Sequence, residues 1–478
     1  MSNERYDVVI VGAGPAGIFA AIELIRTRPE LRVLLLERGK PIEKRSCPAR
    51  ETACVGCATC AIMTGWGGAG AFSDGKLTLS TEVGGWLGEF TGHDRLVALI
   101  EDSDRIWLEF GATQVVHGPD DATARRLVAQ ASSAGLSLVP MRIRHIGSDR
   151  SPAVLQAMHE YLVSAGVEVR MGVAAVKLIE KDGRIEGVEL GGGVRVETPV
   201  VIAAPGRDGA EWLATQARTL GIGLRNNAVD IGVRVEVAAE VMEPLTDSLY
   251  EAKLIRTSQR FGDRVRTFCM NPYGAVTTES YDDIVTVNGH SYAESRTGNT
   301  NFAVLVSQCF TEPFQEPITY GTSVARLANL LGEGILVQRL GDLKRGRRST
   351  PERLAASSLQ PTMPAATPGD LSFVLPFRHL ADILDFLEAM DRLVPGVDAD
   401  ETLLYGVEVK FYSSRLELGP DLQTCVAGLY AIGDGAGVTR GLVQSGASGL
   451  VAARAALSTL ANQPDRGAAP RFKRRADR

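Results

Sequence analysis

Short apolar runs and segments with helical spacing alternate along the first forty residues. A β-branched run covers residues 6–11, a glycine-rich turn follows, and residues 15–26 carry apolar positions compatible with a helix. Residues 32–36 form a second apolar run that predicts a strand. Strand, helix and strand in this order predict a βαβ unit, which requires a parallel sheet with a right-handed crossover.

The middle of the chain combines helical segments with short β-rich runs. Helical patterns cover residues 94–110, 121–134 and 151–166, and β-rich runs follow at 167–173, 175–180, 184–190 and 194–204. Asp182-Gly183 and residues 191–193 suit hairpin turns between these runs. The pattern predicts a small antiparallel layer against the parallel sheet.

A later β-rich set has the composition of a separate domain. Its runs lie at residues 230–236, 267–270, 275–278, 284–287 and 302–307, and a helix is predicted over 376–390. With 478 residues, the chain exceeds what one hydrophobic core usually organises. The set therefore predicts an α+β domain inserted into the first.

Charge and hydropathy exclude several classes of partner. The net charge of -6 provides no broad positive field for a nucleic acid backbone. The most apolar early stretch is interrupted by glycine and proline, so it lacks the roughly 18 apolar residues of a membrane span. It also lacks the order of a signal peptide, and a cytoplasmic location is expected.

A glycine motif lies in the predicted turn between the first strand and helix. Its residues fit G-x-G-x-x-G, and Glu37 follows the last glycine by 20 residues: Gly12, Gly14, Pro15, Ala16 and Gly17. The glycines permit a tight turn, close approach to a pyrophosphate and helix packing, and Glu37 would accept hydrogen bonds from a ribose. An isolated motif can be an accidental turn, but this context favours a dinucleotide site, either FAD or NAD.

A second glycine-rich segment near residue 430 selects FAD. A short apolar run ends at Gly433-Asp434, where a carboxylate can accept from a ribityl hydroxyl. Gly441, Leu442 and Val443 then lead into a helix predicted to reach about residue 457. Its positive dipole end suits the negative edge of a reduced flavin.

Two levels of resemblance support FAD. The segments 14–17 and 37–39 resemble the opening of the glutathione-reductase-like flavoprotein superfamily. Segments 65–77, 144–147, 288–292, 299–303 and 405–412 resemble a largely uncharacterised family of bacterial FAD-dependent dehydrogenases, and the likeness spans about residues 5–455. The resemblance implies further cofactor contacts at Arg38, Gly68, Lys76 and Val176.

These observations predict an α/β fold: a Rossmann-like FAD-binding domain with a parallel sheet and a small antiparallel layer, and an inserted α+β substrate or cap domain. The FAD-binding domain is expected at residues 1–85, 141–225 and 401–461. A helical segment is expected at 86–140, the substrate domain at 226–400 and a disordered basic tail at 462–478.

Four of the seven cysteines lie close together, with the spacing C-x6-C-x2-C-x2-C: Cys47, Cys54, Cys57 and Cys60. The two-residue gaps permit chelation, so an iron–sulfur cluster or zinc is one interpretation. Buried or reactive thiols in a glycine-rich loop are the other.

The remaining chemistry is less specific. No second dinucleotide motif has strand–helix context, so NAD(P)H would bind without a Rossmann domain of its own, or another carrier would supply electrons. Candidate acid–base residues are His290, Tyr292, Lys410 and Tyr412, since a proton accompanies hydride when a double bond is reduced. Arg345, Arg347 and Arg348 are candidate anion binders, with a solvated loop as the alternative.

The predicted activity is a dehydrogenase or reductase that transfers hydride between flavin N5 and a small organic substrate. Two alternatives stay open. One is a flavin monooxygenase on a related scaffold, and the other is a non-redox cyclase in which FAD is structural.

Overall fold

The computed structural model describes residues 4–48, 57–73, 75–118, 120–147, 150–249, 251–281, 284–290, 296–314, 316–411 and 414–461. The tail predicted at 462–478 lies outside this range, as do Cys54, Tyr292 and Tyr412.

The described residues form twelve α-helices: α1 (Pro15–Thr27), α2 (Leu87–Thr91), α3 (His93–Glu109), α4 (Asp121–Ser133), α5 (Ser151–Ser164), α6 (Ala210–Thr219), α7 (Ala239–Leu249), α8 (Pro317–Gly332), α9 (Leu340–Lys344), α10 (Pro351–Ala355), α11 (Phe377–Leu393) and α12 (Leu442–Ala461). Short 3₁₀ helices cover Ile42–Lys44, Gly68–Phe72, Leu371–Phe373 and Asp434–Ala436.

The strands, in chain order, are β1 (Glu4–Arg5), β2 (Val8–Val11), β3 (Val33–Glu37), β4 (Lys76–Thr78), β5 (Ser137–Val139), β6 (Ile143–His145), β7 (Glu168–Met171), β8 (Ala175–Lys181), β9 (Arg184–Leu190), β10 (Arg195–Glu197), β11 (Val201–Ala203), β12 (Leu224–Arg225), β13 (Val229–Ala238), β14 (Lys253–Thr257), β15 (Arg264–Asn271), β16 (Ala275–Tyr281), β17 (Ile284–His290), β18 (Asn299–Gln308), β19 (Leu336–Arg339), β20 (Thr367–Pro368), β21 (Leu403–Lys410), β22 (Arg415–Leu416) and β23 (Leu429–Ala431).

A five-stranded parallel sheet brings the two ends of the chain together. Its order is β23-β11-β2-β3-β7, so a strand from the last fifty described residues lies in the same sheet as the first βαβ unit. Every residue of β2 and β3 is buried, as expected for a sheet covered on both faces. The carboxyl end of β2 therefore opens directly into the glycine turn before α1.

A four-stranded layer, β1-β10-β9-β8, forms the small antiparallel sheet that the sequence predicts, although β1 pairs with β10 in parallel. The predicted run at 194–204 divides between two sheets: β10 lies in this layer and β11 in the parallel sheet. Pro199 lies between them, and a proline has no N–H to continue a ladder.

The second large sheet has eight strands in the order β20-β19-β21-β13-β18-β15-β14-β5. It is antiparallel except for the pairing of β19 with β20, and it shares a hydrophobic core with α7, α8 and α11. Two strands come from outside the predicted 226–400 domain. β5 forms one edge of the sheet, and β21 lies inside it. The predicted domain boundary at residue 400 therefore separates β21 from the sheet to which it belongs.

The described helices include none that is both long and apolar enough to cross a membrane.

Helices α1 and α12 cross at Gly449. A Cβ atom built on Gly449 would lie 2.2 Å from the carbonyl oxygen of Ala16 and 2.9 Å from the backbone nitrogen of Ala20. Backbone atoms inside a packed helix cannot move aside cheaply. The crossing therefore requires glycine at this position.

Gly449→Ala should lower the free energy of unfolding, measured by urea denaturation. Overpacking a tight core contact costs about 1–3 kcal/mol, whereas alanine returns about 1 kcal/mol of helix propensity. Gly298→Ala is the matched control, because no atom lies within 4 Å of a Cβ built there. A stability increase in Gly449→Ala would contradict the proposed contact.

Candidate functional site

A cavity of about 740 Å³ opens between the carboxyl ends of the parallel strands and the eight-stranded sheet. Fifteen of the residues predicted as site residues line it: Gly12, Gly14, Pro15, Ala16, Glu37, Arg38, Gly68, Lys76, Val176, His290, Lys410, Gly433, Asp434, Gly441 and Leu442. Two predicted cofactor residues do not line the cavity. Gly17 packs against the turn, and Val443 is buried within α12.

The three glycines of the fingerprint differ in what surrounds them. Gly12 has φ +105°, and a Cβ atom there would lie 2.1 Å from the carbonyl oxygen of Ala204. Gly17 would place a Cβ 2.0 Å from the carbonyl oxygen of Gly12. In contrast, a Cβ on Gly14 meets no protein atom within 4 Å, although Gly14 lines the cavity.

The space beside Gly14 has the features of an anion-binding site. Gly14 is the N-cap of α1, a 13-residue helix with Pro15 at its first position, so free backbone N–H groups and the positive end of the helix dipole face this space. A helix N-terminus with an open glycine cradle is the usual binding site for a dinucleotide pyrophosphate.

Glu37 stabilises the backbone around this cradle. One carboxylate oxygen accepts from the Ala13 N–H at 2.9 Å and the other from the Gly39 N–H at 2.8 Å. The side chain is buried but lines the cavity, and each carboxylate oxygen has further lone pairs. Its predicted contact with a ribose stays a prediction.

Arg45 organises the loop that carries Gly68, and the sequence analysis missed it. Its guanidinium donates to the carbonyl oxygens of Ala61, Ile62, Trp66 and Gly68 at 2.6–2.9 Å. Burial lowers the pKa of Arg45 to about 10. These four carbonyls fix the path of the loop along the cavity.

The second glycine-rich segment lies beside the first. The Gly433 N–H donates to the Ser448 hydroxyl at 3.2 Å, and Asp434 accepts from the Thr439 hydroxyl at 2.8 Å. Burial raises the pKa of the Asp434 carboxyl, while Arg207 and Arg440 act in the opposite direction. The segment leads to the N-terminus of α12 at Leu442, next to the cavity.

The cavity wall formed by the eight-stranded sheet and the two-stranded antiparallel sheet β16-β17 is polar; Glu279, Asn288 and His290 lie on the two-stranded sheet. Lys410 Nζ lies 2.9 Å from Glu279 and 3.3 Å from Glu408, and Asn288 donates to the same oxygen of Glu279 at 3.0 Å. His290 lines the same wall. Of the predicted acid–base residues, the structure therefore brings Lys410 and His290 together in one cavity.

A fully buried ion pair supports this wall. Arg234 donates to both carboxylate oxygens of Glu408, at 2.8 and 2.9 Å, and both side chains are 0% exposed. Arg234 also donates to the Cys269 carbonyl at 2.9 Å and the Asn301 side-chain oxygen at 3.0 Å. Burial alone would lower the pKa of Arg234, but the Glu408 carboxylate and the hydrogen bonds to Glu408 and Cys269 leave that pKa raised above its usual value.

Sequence reasoning missed Arg234, Glu408 and Glu279. A usable signal was present in β13, where the sequence VDIGVRVEVA places charged residues inside a strand that is otherwise apolar. A charge in a buried strand requires a partner, and the partner of Arg234 lies 174 residues away.

Other predicted residues lie elsewhere. Arg345 pairs with Asp400 and Arg347 with Asp342, and these arginines do not line the cavity, which favours the solvated-loop interpretation. Cys47, Cys57 and Cys60 do not line it either. In the described part of the chain, no group of three or more His, Cys, Asp or Glu is placed to hold a metal ion, and the cysteine ligand set stays a prediction.

Comparison with known proteins supports the cofactor. Residues 229–411 match the family "FAD-dependent protein, C-terminal domain-like". An uncharacterized protein of Clostridium beijerinckii is 26% identical over 470 residues, which cover 92% of this chain and 79% of the relative. The prediction of FAD as cofactor is confirmed, and the match to an FAD-dependent protein family covers residues 229–411.

Several solved enzyme structures are similar at low identity. A variant of the E. coli quinol fumarate reductase subunit FrdA is 14% identical, covering 98% of this chain and 72% of its own, with a TM-score of 0.42. The L-amino acid deaminase of Proteus vulgaris is 14% identical, with coverages of 98% and 96% and a TM-score of 0.38. The glycine oxidase of Geobacillus kaustophilus is 14% identical, with coverages of 96% and 94% and a TM-score of 0.35.

Arg234→Met removes the buried cation and leaves the Glu408 carboxylate without its bidentate partner. We expect the free energy of unfolding to fall by about 3–5 kcal/mol in urea denaturation, because breaking a buried ion pair is costly and only Lys410, at 3.3 Å, remains beside Glu408. The double variant Arg234→Met/Glu408→Met should recover part of this loss.

The matched control is Arg225→Met, which breaks an exposed pair with Glu417. It should change stability by less than about 1 kcal/mol. An Arg234→Met variant as stable as this control would show that the pair does not support the wall.

Proposed function

We propose that this chain is an FAD-dependent oxidoreductase that transfers hydride between FAD and a small organic substrate. One observation carries the proposal: the same cavity is lined by the fingerprint residues and by polar side chains of the eight-stranded sheet. A cofactor site with adjoining polar groups is the usual arrangement of an enzyme pocket. In this proposal the parallel sheet belongs to a Rossmann-like domain, and the eight-stranded sheet belongs to the substrate domain.

The cofactor would extend from α1 to α12. Gly14 and Pro15 would bind the pyrophosphate, and Glu37 and Arg38 would bind the adenosine. Asp434 would accept from the ribityl chain, while the N-terminus of α12 at Leu442 would face the flavin ring. Gly68, Lys76 and Val176 line the remaining cavity surface and complete the proposed contact set.

Bound FAD supplies a two-electron carrier that exchanges hydride with a substrate carbon. The residues of the chain would orient the substrate and handle its proton. His290, Lys410 and Tyr412 are the proposed groups for this role, and Tyr412 lies outside the described residues. NAD(P)H or another carrier would restore the flavin redox state, without a second nucleotide domain.

The cysteine cluster is a separate proposal. An iron–sulfur cluster on Cys47, Cys54, Cys57 and Cys60 would give electrons a route to the flavin. A broad absorbance shoulder in protein purified without oxygen, lost in Cys57→Ser, would support it. A flavin spectrum without the shoulder would favour simple thiols and leave the flavin proposal unaffected.

Gly14→Val tests the cofactor site directly. The backbone at Gly14 is extended, with φ −78° and ψ 177°, so valine fits the fold, but its side chain would occupy the space of the pyrophosphate. We expect the flavin absorbance of the purified protein to be largely lost while the urea midpoint of FAD-free protein is unchanged. Gly298→Val, at an open position outside the cavity, is the control. Full FAD content in Gly14→Val would exclude this placement.

Redox chemistry is tested by anaerobic reduction of the bound flavin. We expect dithionite to bleach the flavin and a substrate from an alcohol, amine and alkene panel to bleach or restore it catalytically. Oxygen consumption with NAD(P)H and a hydroxylated product would instead identify a monooxygenase. Turnover with a flavin that no donor can reduce would identify the structural-cofactor alternative and overturn the proposal.

A further inference from the structure

An apolar side chain and an aromatic ring form one part of the cavity surface. Val176 lies in β8, and its side chain is 48% exposed although it is apolar. Trp212 lies in the first turn of α6 and is half-buried. Both residues line the cavity, so part of their uncovered surface faces the space that is available to a ligand. We refer to these two residues as the Trp212–Val176 surface.

Hydrogen bonds between α6 and β8 hold the indole ring in place. The indole N–H of Trp212 donates to the Val176 carbonyl oxygen at 2.9 Å. The Leu178 N–H donates to the side-chain oxygen of Gln216 at 2.9 Å. Val176 also lies at a register shift between β8 and β9, where a bulge can redirect a side chain. The fold therefore sets the position of both the ring and the valine.

This surface lies next to the residues proposed for the adenosine. The Val173 N–H donates to the Glu37 carbonyl oxygen at 2.9 Å, so the segment that leads into β8 runs beside the end of β3. On the other side, Arg38 forms an ion pair with Asp208 in the loop before α6. The segment before β8 is thus joined to Glu37, and the segment before α6 is joined to Arg38.

An uncovered aromatic ring beside an apolar side chain suits a flat, uncharged ring. Nucleobases have such faces, and stacking of a base on an aromatic side chain is a common source of affinity for nucleotides. A carboxylate at the end of the second strand of a βαβ unit holds the ribose of a dinucleotide. A base joined to a ribose at Glu37 would therefore reach the neighbouring Trp212–Val176 surface.

We propose that Trp212 and Val176 bind the adenine ring of FAD. The inference rests on the proposed function, in which Glu37 and Arg38 bind the adenosine, and it adds the residues that contact the base. The flavin ring is assigned to the N-terminus of α12, so the two ring systems of the cofactor contact different elements.

The test measures displacement of FAD from the FAD-loaded protein by the fluorescence of the released flavin. The probes are AMP and ribose 5-phosphate, which differ in the presence of adenine on the ribose. AMP should displace FAD at about a tenfold lower concentration, because stacking of one base on an aromatic side chain contributes about this factor. The ratio of the two displacing concentrations is the readout, since it reports the contribution of the base alone.

Variants at Trp212 separate the aromatic ring from its hydrogen bond. Trp212→Ala should remove most of the advantage of AMP and weaken FAD binding by about tenfold. Trp212→Phe should retain most of both, because phenylalanine keeps an aromatic face and loses only the N–H donor. A purely structural role of Trp212 would weaken AMP and ribose 5-phosphate equally and leave their ratio unchanged.

Val176→Thr provides a test that does not depend on the folding of the Trp212 variants. The two side chains have nearly the same shape, and threonine replaces one methyl group by a hydroxyl. We expect the advantage of AMP to fall by about threefold, as for the loss of one buried methyl group. Val194→Thr is the matched control, because Val194 is 45% exposed in the turn between β9 and β10 and does not line the cavity.

The inference is overturned if AMP displaces FAD no better than ribose 5-phosphate, or if the advantage of AMP is unchanged in both Trp212→Ala and Val176→Thr. The proposed function fails on a different measurement, when no donor or substrate reduces the bound flavin. A reducible flavin without an advantage of AMP would therefore reject the adenine contact alone.

Discussion

The buried pair of Arg234 and Glu408 is the interaction on which the polar wall of the cavity depends. Arg234 reaches from β13 to Glu408 on β21, to the Cys269 carbonyl on β15 and to the Asn301 side chain on β18. Four strands of one sheet are thereby joined by a single guanidinium. Because Arg has five donors in a fixed geometry, it can satisfy all of these acceptors at once.

This pair also determines what reaches the cavity surface. Arg234 holds Glu408 in place, and Lys410 on the same strand lies 3.3 Å from Glu408 and 2.9 Å from Glu279, so the buried pair fixes one of the two carboxylates next to Lys410. The cofactor side follows a different physical principle. Around the glycine motif, backbone atoms form the cavity surface. Glycines allow these backbone segments to approach each other more closely than a side chain would permit.

The cofactor side could be predicted from the sequence because its signals are local. Gly12, Gly14 and Gly17 lie within six residues, and the strand–helix context is visible on both sides of them. Strand and helix patterns also located most elements, including α1, α3 and β9 to within a residue or two. Local propensity could not show that residues 194–204 divide at Pro199 between two sheets.

The contacts of the polar wall could not be predicted from the sequence, because the residues that contact each other there are distant in the chain. Glu279 and Lys410 are 131 residues apart, and no spacing rule connects them. No sequence motif predicts the hydrogen bonds from Arg45 to four loop carbonyl oxygens, since any residue can supply a carbonyl oxygen. The sequence named Lys410 and His290 as candidates, but only the packed sheet shows which groups surround them.

The parallel sheet has a consequence for biosynthesis. Its strand β23, residues 429–431, pairs with β11, whereas β2 and β3 lie within the first forty residues. Every strand of the eight-stranded sheet is complete by residue 410. During translation, that sheet can therefore form while the parallel sheet still lacks β23 and α12, so the ribosome must deliver α12 before the two glycine-rich segments can meet.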